Sequence, residues 1–223
     1  MVTGASRGIG LSIAESLLVL GARVALCARD SDELEKAGLG LRERFGAQNV
    51  YWQHCDVASF ADAVSLRTGV HAGLGAPSLL VNNAGVVVRK SLADLTEADW
   101  DLCVDVNLKG LFNVTKAFLP DLVAAKGRVV NVSSISGRLG TARLTAYCAA
   151  KHGVVGFTRA LAEELRTEGV QVNAVAPGSV DTAMLVGSGY SPSMGPADVA
   201  GVVSYLLTDA PAALTGACLD VFG

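Results

Sequence analysis

The sequence predicts an α/β fold: a doubly wound parallel sheet with helices on both faces, formed by a single domain over 1–223. Three observations predict it. Short apolar runs alternate along the whole chain with longer amphipathic stretches, the pattern of successive βαβ units. Just over half of the residues are apolar and only 17% are charged, which suits strands buried on both faces. Glycines 4, 8 and 10 stand between the first apolar run and the first amphipathic stretch, where such a chain must turn tightly from strand into helix. A chain of 223 residues should bury roughly 70% or more of its unfolded surface, so it needs no disulfide or metal staple.

The elements follow in order. Met1 and Val2 begin a short first strand, and Leu11 to Leu20 is the first helical stretch. A helix opening at the glycine turn aims unpaired N–H groups and its positive dipole end at a phosphate. Arg23 to Ala28 is the second strand, and Asp30 or Ser31 caps a helix that runs to about Phe45. Val50 to Cys55 is the third strand; Asp56, which follows it, either accepts a hydrogen bond from an adenine amino group or caps the helix beginning near Ser59. Leu79 to Val81 is the fourth strand, and the small residues in Asn82-Asn83-Ala84-Gly85 leave room for a cofactor at its end. Thr96-Glu97-Ala98-Asp99 resembles a capping box and opens a long helix to about Ala124. Asn107 lies mid-helix, where asparagine is unfavourable, so a specific partner is expected. Arg128 to Ser133 is the fifth strand, Gly153 to Leu165 a helix, and Val170 to Ala176 the sixth strand. Pro177 to Thr182 turns away from the sheet, Pro196 begins a helix to about Thr208, and Cys218 to Val221 is the last strand.

Composition excludes several classes. A net charge of −3 without a basic block disfavours nucleic acid or anionic membrane as the main partner. No apolar run reaches the roughly 18 residues of a membrane span, and no signal peptide is evident. Cysteines 27, 55, 103, 148 and 218 are odd in number, scattered and without a Cys-x-x-Cys pair. They read as reduced, packed thiols of a cytoplasmic protein. His54, His71 and His152 show no metal-ligand spacing.

The chemistry centres on Tyr147-Cys148-Ala149-Ala150-Lys151. Positions i and i+4 share a helix face, so a phenol and an ammonium sit side by side. Ser134, at the end of the fifth strand, adds a hydroxyl, and the three make a proton-transfer site. Where a dinucleotide fold meets the adenosine ribose, an acid suits a 2′-hydroxyl and an arginine suits a 2′-phosphate. Arg29 follows the second strand and Arg7 lies in the glycine turn, which favours NADP over NAD, with Asp30 as an opposing charge.

Thr3-Gly4-x-x-x-Gly8-x-Gly10, Asn82-Asn83-Ala84-Gly85, Asn107, Ser134, Tyr147-x-x-x-Lys151 and Pro177-Gly178 stand in an order and spacing that resembles the short-chain dehydrogenase/reductase family, in its compact single-domain branch. The chain is similar to the 3-oxoacyl-carrier-protein reductase-like members of that family, and the likeness covers essentially its whole length. The resemblance implies a seven-stranded Rossmann-type sheet in the order 3-2-1-4-5-6-7. It implies that Asn107, Ser134, Tyr147 and Lys151 are a catalytic tetrad. Gly4, Ser6, Arg7, Gly8, Ile9, Gly10, Arg29, Asp56, Val57, Asn83, Ala84, Gly85, Pro177, Gly178, Val180 and Thr182 would line the cofactor, together with Tyr147 and Lys151. It implies hydride transfer between the nicotinamide and a small-molecule carbonyl or secondary alcohol, in a homodimer or homotetramer. Lys151 would hold the nicotinamide ribose hydroxyls, and Asn107 a water that resupplies the proton. Lys151 would also lower the phenol pKa: opposite charges about 4 Å apart at an effective dielectric of about 20 interact by roughly 4 kcal/mol.

Three features depart from the family pattern. The first strand is very short, the stretch between Thr182 and Pro196 is shorter than the usual substrate lid, and Phe222-Gly223 stands where relatives carry an Asp-Gly-Gly turn. Two other readings compete. One is an idle dinucleotide-binding sensor or subunit, for which four intact catalytic groups have no use. The other is a nucleotide-sugar epimerase or dehydratase, which needs a further substrate domain. An NAD-preferring alcohol dehydrogenase of the same fold is the alternative within the preferred class.

Overall fold

A computed structural model describes all residues, 1–223. Seven strands make one sheet: β1 (Val2–Thr3), β2 (Val24–Ala28), β3 (Val50–His54), β4 (Leu79–Asn82), β5 (Arg128–Val132), β6 (Gln171–Pro177) and β7 (Cys218–Val221). All neighbours run parallel, in the order β3-β2-β1-β4-β5-β6-β7. The short first strand is the central one. Val2 pairs with Leu26 on one side and Val81 on the other, and the ladder extends to the first residue, where Val81 N–H donates to the Met1 carbonyl at 2.8 Å.

Helices α1 (Gly8–Val19), α2 (Ser31–Phe45), α3 (Phe60–Leu74), α4 (Glu97–Val104), α5 (Gly110–Ala124), α6 (Thr145–Glu164) and α7 (Pro196–Thr208) fill the crossovers. Their starts follow local chemistry. Asp30 caps α2 by accepting the Glu33 N–H at 3.0 Å. Ser59 caps α3, and Thr96 with Asp99 forms the expected reciprocal box on α4. Pro196 opens α7 at the first position, where its missing N–H costs nothing.

Two expectations need correction. The long helix from Thr96 to Ala124 is not continuous, because Asp105–Lys109 is a π-helical turn between α4 and α5. The helix expected from Gly153 already begins at Thr145, which puts Tyr147 and Lys151 in its first two turns.

One apolar layer, with Ile13, Leu17, Leu34, Val199 and Leu206, packs α1, α2 and α7 on one face of the sheet. The other, with Leu66, Phe118, Leu122 and Leu161, packs α3, α5 and α6 on the opposite face. Phe118 is fully buried, a burial that stabilises by about 1.5–3 kcal/mol. A polar chain crosses the second layer. Asn82 Nδ2 donates to Thr115 Oγ1 and Asn131 Oδ1, both at 2.9 Å, and Asn131 Nδ2 donates to Thr158 Oγ1 at 2.9 Å. It ties β4 and β5 to α5 and α6 by groups that are costly to leave unpaired in the interior.

Gly10 belongs to this framework. A Cβ there would stand 2.3 Å from the Gly4 carbonyl oxygen and 2.5 Å from Asn83 Nδ2. Its bare α-carbon therefore lets α1 sit against the turn, and it does not line the cleft described below. Gly10→Ala is expected to destabilise the fold by about 1–3 kcal/mol through overpacking. Urea unfolding checks this as a lower midpoint with an unchanged slope.

Candidate active site

The cleft opens where the strand order reverses, between β1 and β4, a natural ligand crevice in open α/β sheets. Its volume is about 1010 Å³, and its wall includes Gly4, Ser6, Arg7, Gly8, Ile9, Arg29, Asp56, Val57, Asn83, Ala84, Gly85 and Thr182. Gly4 and Gly8 have φ of +61° and +57°, a backbone that favours glycine. The first N–H groups of α1 have no acceptor within the helix and lie beside the cleft. Asn83 braces the turn: Nδ2 donates to the Thr3 and Gly4 carbonyls, both at 3.0 Å. Thr3 Oγ1 accepts the N–H groups of Asn83 and Ala84 at 3.0 Å.

The end of the cleft near Arg29 differs from expectation in its charges. Arg29 is exposed, lines the cleft and makes no ion pair. Arg7, read as a second free cation, donates Nη1 to Glu33 Oε1 at 2.6 Å. Glu33 also accepts from Ser6 Oγ at 3.4 Å and lines the cleft. Sequence reasoning missed Glu33, whose signal was its place one turn beyond Asp30 in a helix leaving the cofactor edge. Asp56 is not the cap of α3, which is Ser59; it sits in the cleft wall and accepts the Ala58 N–H at 3.0 Å.

A second chamber of about 350 Å³ adjoins the first and shares Ile9, Asn83, Gly85, Val87, Thr182 and Met184 with it. Ser134, Tyr147, Lys151, Pro177, Gly178 and Val180 line it. Ser134 extends from the end of β5 and accepts the Ser136 N–H at 3.1 Å, which fixes its rotamer and leaves its proton free to be donated. Ser133 Oγ donates to the Lys151 carbonyl at 2.9 Å and pins α6 to the strand end. A 3₁₀ turn, Ala183–Leu185, roofs the chamber. Asp181 N–H donates to the Met194 carbonyl at 3.0 Å and Ser193 Oγ to the Phe222 carbonyl at 2.7 Å, anchoring the base of the roof.

Asn107 occupies the π-helical turn and is buried. Its amide donates to the Val86 and Cys103 carbonyls, both at 2.8 Å, and its oxygen accepts the Val86 N–H at 3.3 Å. These bonds are the specific partner its mid-helix place called for. They hold the loop after β4 against α4, with Gly85 so close that a Cβ would lie 2.7 Å from Asn107 Oδ1.

The electrostatics correct one expectation. Tyr147 is pushed up to about 12, chiefly by burial; the neighbouring Ser134 hydroxyl and the Arg89 charge pull it back only in part. Lys151 is not among the groups that lower it. Burial drives the lysine down to about 8, and its Nζ donates to the Val132 carbonyl at 2.9 Å, 5.6 Å from the Tyr147 ring centre. Burial shifts both groups toward their neutral forms, although a lysine near 8 is still mostly charged at pH 7. The cation acting on the phenol is Arg89, which sequence reasoning did not single out.

The family model described as short chain dehydrogenase matches residues 1–190. The chain is 38% identical to nodulation protein G of Azospirillum brasilense, over 100% of this chain and 96% of that protein. It is also 38% identical to the 3-oxoacyl-[acyl-carrier-protein] reductase FabG of Pseudomonas aeruginosa, over 100% and 95%. Among solved structures, an NADPH-bound actinorhodin polyketide ketoreductase superposes with a TM-score of 0.93 at 36% identity, covering 100% of this chain and 94% of that one. An NADPH-bound short chain oxidoreductase of Pseudomonas aeruginosa, described as containing an atypical catalytic center, gives 0.93 at 30% identity with the same coverage.

The lysine shift has a thermodynamic consequence. Lys151 moves from 10.5 unfolded to about 8 folded, so between those values the unfolded state binds more protons and this group makes stability rise with pH. Its burial penalty is complete below about pH 8 and gone above about 10.5. Lys151→Met should therefore be most favourable relative to the unmutated protein near pH 7, with the advantage shrinking by pH 10. Urea unfolding of both proteins across that range measures the difference.

Proposed function

The chain belongs to the short-chain dehydrogenase family, as an oxidoreductase between CH–OH and C=O groups, and we propose that it is an NADPH-dependent carbonyl reductase. The observation that carries this reading is the convergence of Ser134, Tyr147 and Lys151 on a chamber sharing a wall with a cleft of nucleotide size. The residues present fit a dinucleotide. The braced glycine turn and the start of α1 would take the pyrophosphate, Asp56 and Val57 flank the adenine end, and Gly85, Lys151 and Thr182 border the nicotinamide end. When bound, the nicotinamide supplies the hydride.

The chain's own part is proton transfer and charge stabilisation. Ser134 Oγ–H donates to the carbonyl oxygen and polarises it. Tyr147 gives its phenolic proton to that oxygen as it becomes alkoxide-like. A phenol held near 12 is protonated throughout the physiological range, which suits the acid of a reduction. Lys151 would meet the nicotinamide ribose, exchanging its Val132 carbonyl partner or keeping it with one of its three donors. Asn107 acts as a positioning residue that holds the loop carrying Gly85 and Val86. The keto group on an acyl chain is the substrate class favoured by the ketoacyl reductases among the relatives.

A second reading of cofactor choice has one observation in its favour. Glu33 lies in the cleft wall and would accept hydrogen bonds from a ribose 2′-hydroxyl, as NAD requires. Arg7 neutralises it, however, and Arg29 remains unpaired beside it, so NADPH is preferred.

Two substitutions test the reading. Tyr147→Phe keeps the ring and removes the proton; turnover should fall at least about 100-fold while NADPH still quenches protein fluorescence with unchanged affinity. Wild-type-like turnover would sink the assignment. Arg29→Ala should lose most of an expected 10- to 100-fold preference for NADPH over NADH, about the value of one charge-assisted hydrogen bond. The loss should fall on kcat/KM for NADPH and leave NADH nearly unaffected. Equal use of both cofactors by the unmutated protein at low salt would make Glu33 the ribose ligand.

A further inference from the structure

Arg89 lies in the loop after β4 and lines the smaller chamber. Its Nη2 donates to the carbonyl of Met184 in the roof at 2.7 Å. No carboxylate oxygen lies within 4.0 Å of it, since none of the eight ion pairs of the chain includes it. The chamber wall contains no aspartate or glutamate at all, and its only cations are Arg89 and Lys151. Lys151 is buried and bound to the Val132 carbonyl. Neither cation has a carboxylate partner, but Arg89 is the less buried of the two and so the charge offered to whatever enters, and its field reaches the phenol that defines the reacting end.

Resting on the reductase reading above, we propose that Arg89 is a specificity-determining residue and that the substrate is a small oxo acid, with its ketone and an anionic group on the same short molecule. A guanidinium carries five N–H donors in a fixed fork. One is spent on Met184, which leaves donors to grip a carboxylate without releasing the roof. The same bond holds the side chain in place before substrate arrives, so little ordering remains to be done on binding. Size supports the small acid. At about 350 Å³ the chamber holds a small acid entire, with its ketone and its anionic group inside the one wall that Arg89 lines.

The test compares 4-oxopentanoate and 5-oxohexanoate with their methyl esters, following NADPH consumption. An acid should exceed its ester in kcat/KM by at least about tenfold, the lower value for one charge-assisted hydrogen bond. Arg89→Gln should abolish that preference by raising KM for the acid at least about tenfold more than KM for the ester. Arg89→Lys, which keeps the charge, should retain part of it. Equal use of acid and ester by the unmutated protein overturns the proposal without needing any variant. An equal loss on acid and ester in Arg89→Gln also overturns it, since the residue then only supports the roof. A third arm uses acetoacetyl-pantetheine with and without its 4′-phosphate. A phosphate preference that Arg89→Gln removes, with no acid preference, overturns the small-acid assignment in favour of a carrier arm. Calorimetric titration of the acid and its ester into the protein loaded with NADP⁺ separates the two readings. Arg89-dependent binding of the acid without reduction of any ketone overturns the reductase reading and the substrate assignment with it; reduction of neutral ketones without acid preference keeps the reductase reading and overturns this proposal alone.

Discussion

The site depends on the hydrogen bonds that join Asn83 to Thr3 and Gly4 across the mouth of the crevice. β1 is only two residues long, so its ladder alone cannot fix the direction in which the chain leaves the sheet. The Asn83 amide supplies that constraint by holding two carbonyls that would otherwise point into the cleft. Once the turn is set, α1 must start where it does, and Gly10 must be bare for the helix to pack against it. The two chambers then meet along one wall, shared by Asn83 and Gly85.

Charge is handled differently on the two sides of that wall. In the larger cleft, cations and acids alternate at the surface: Arg29 is free, Arg7 is bound to Glu33, and Asp30 faces its own helix. Exposed pairs of this kind are weak and exchange easily for a ligand's phosphate. In the smaller chamber Tyr147 and Lys151 are buried, and both are penalised for ionising. Tyr147 and Lys151 accordingly drift toward neutrality in opposite directions. Burial sets the resting protonation state of the pair, and the charge of whatever binds has the larger role in shifting it.

Much of the fold was legible because its signals are local. Alternating apolar runs, Asp30 and Ser59 as caps, the Thr96 box and Pro196 all concern residues within one turn of each other, and apart from the start of α6 and the break after α4 the strands and helices stand within a few residues of their expected places. The π-helical turn at Asp105–Lys109 was not legible, although Asn107 was marked as out of place there. The reason is tertiary: the asparagine reaches Val86 on a loop distant in sequence. The candidate tetrad was readable from its spacing, but its electrostatics were not. The cation acting on the phenol, Arg89, comes from the loop after β4, which the spacing of the motifs does not place beside Tyr147. The Arg7–Glu33 pair was hidden for the same reason, since it joins two elements that the sequence does not show to be adjacent.

The π-helical turn also sets a rule for insertions and deletions in this part of the chain. Such a turn holds one residue more than the α-helical path would need. Removing one residue between Asp105 and Lys109 would let α4 and α5 join as a straight helix with α5 still in phase, whereas drawing the segment into an α-helix at its present length would rotate everything beyond by about 100°. The face of α5 bearing Phe118 and Leu122 would swing away from α3 and the sheet, and Asn113 would lose the carbonyls of Val57 and Ala58. The length of this segment is thus coupled to the phase of the helix behind it. Loss of the extra residue can be absorbed there, whereas loss of the π turn at constant length must be answered by the whole second core at once.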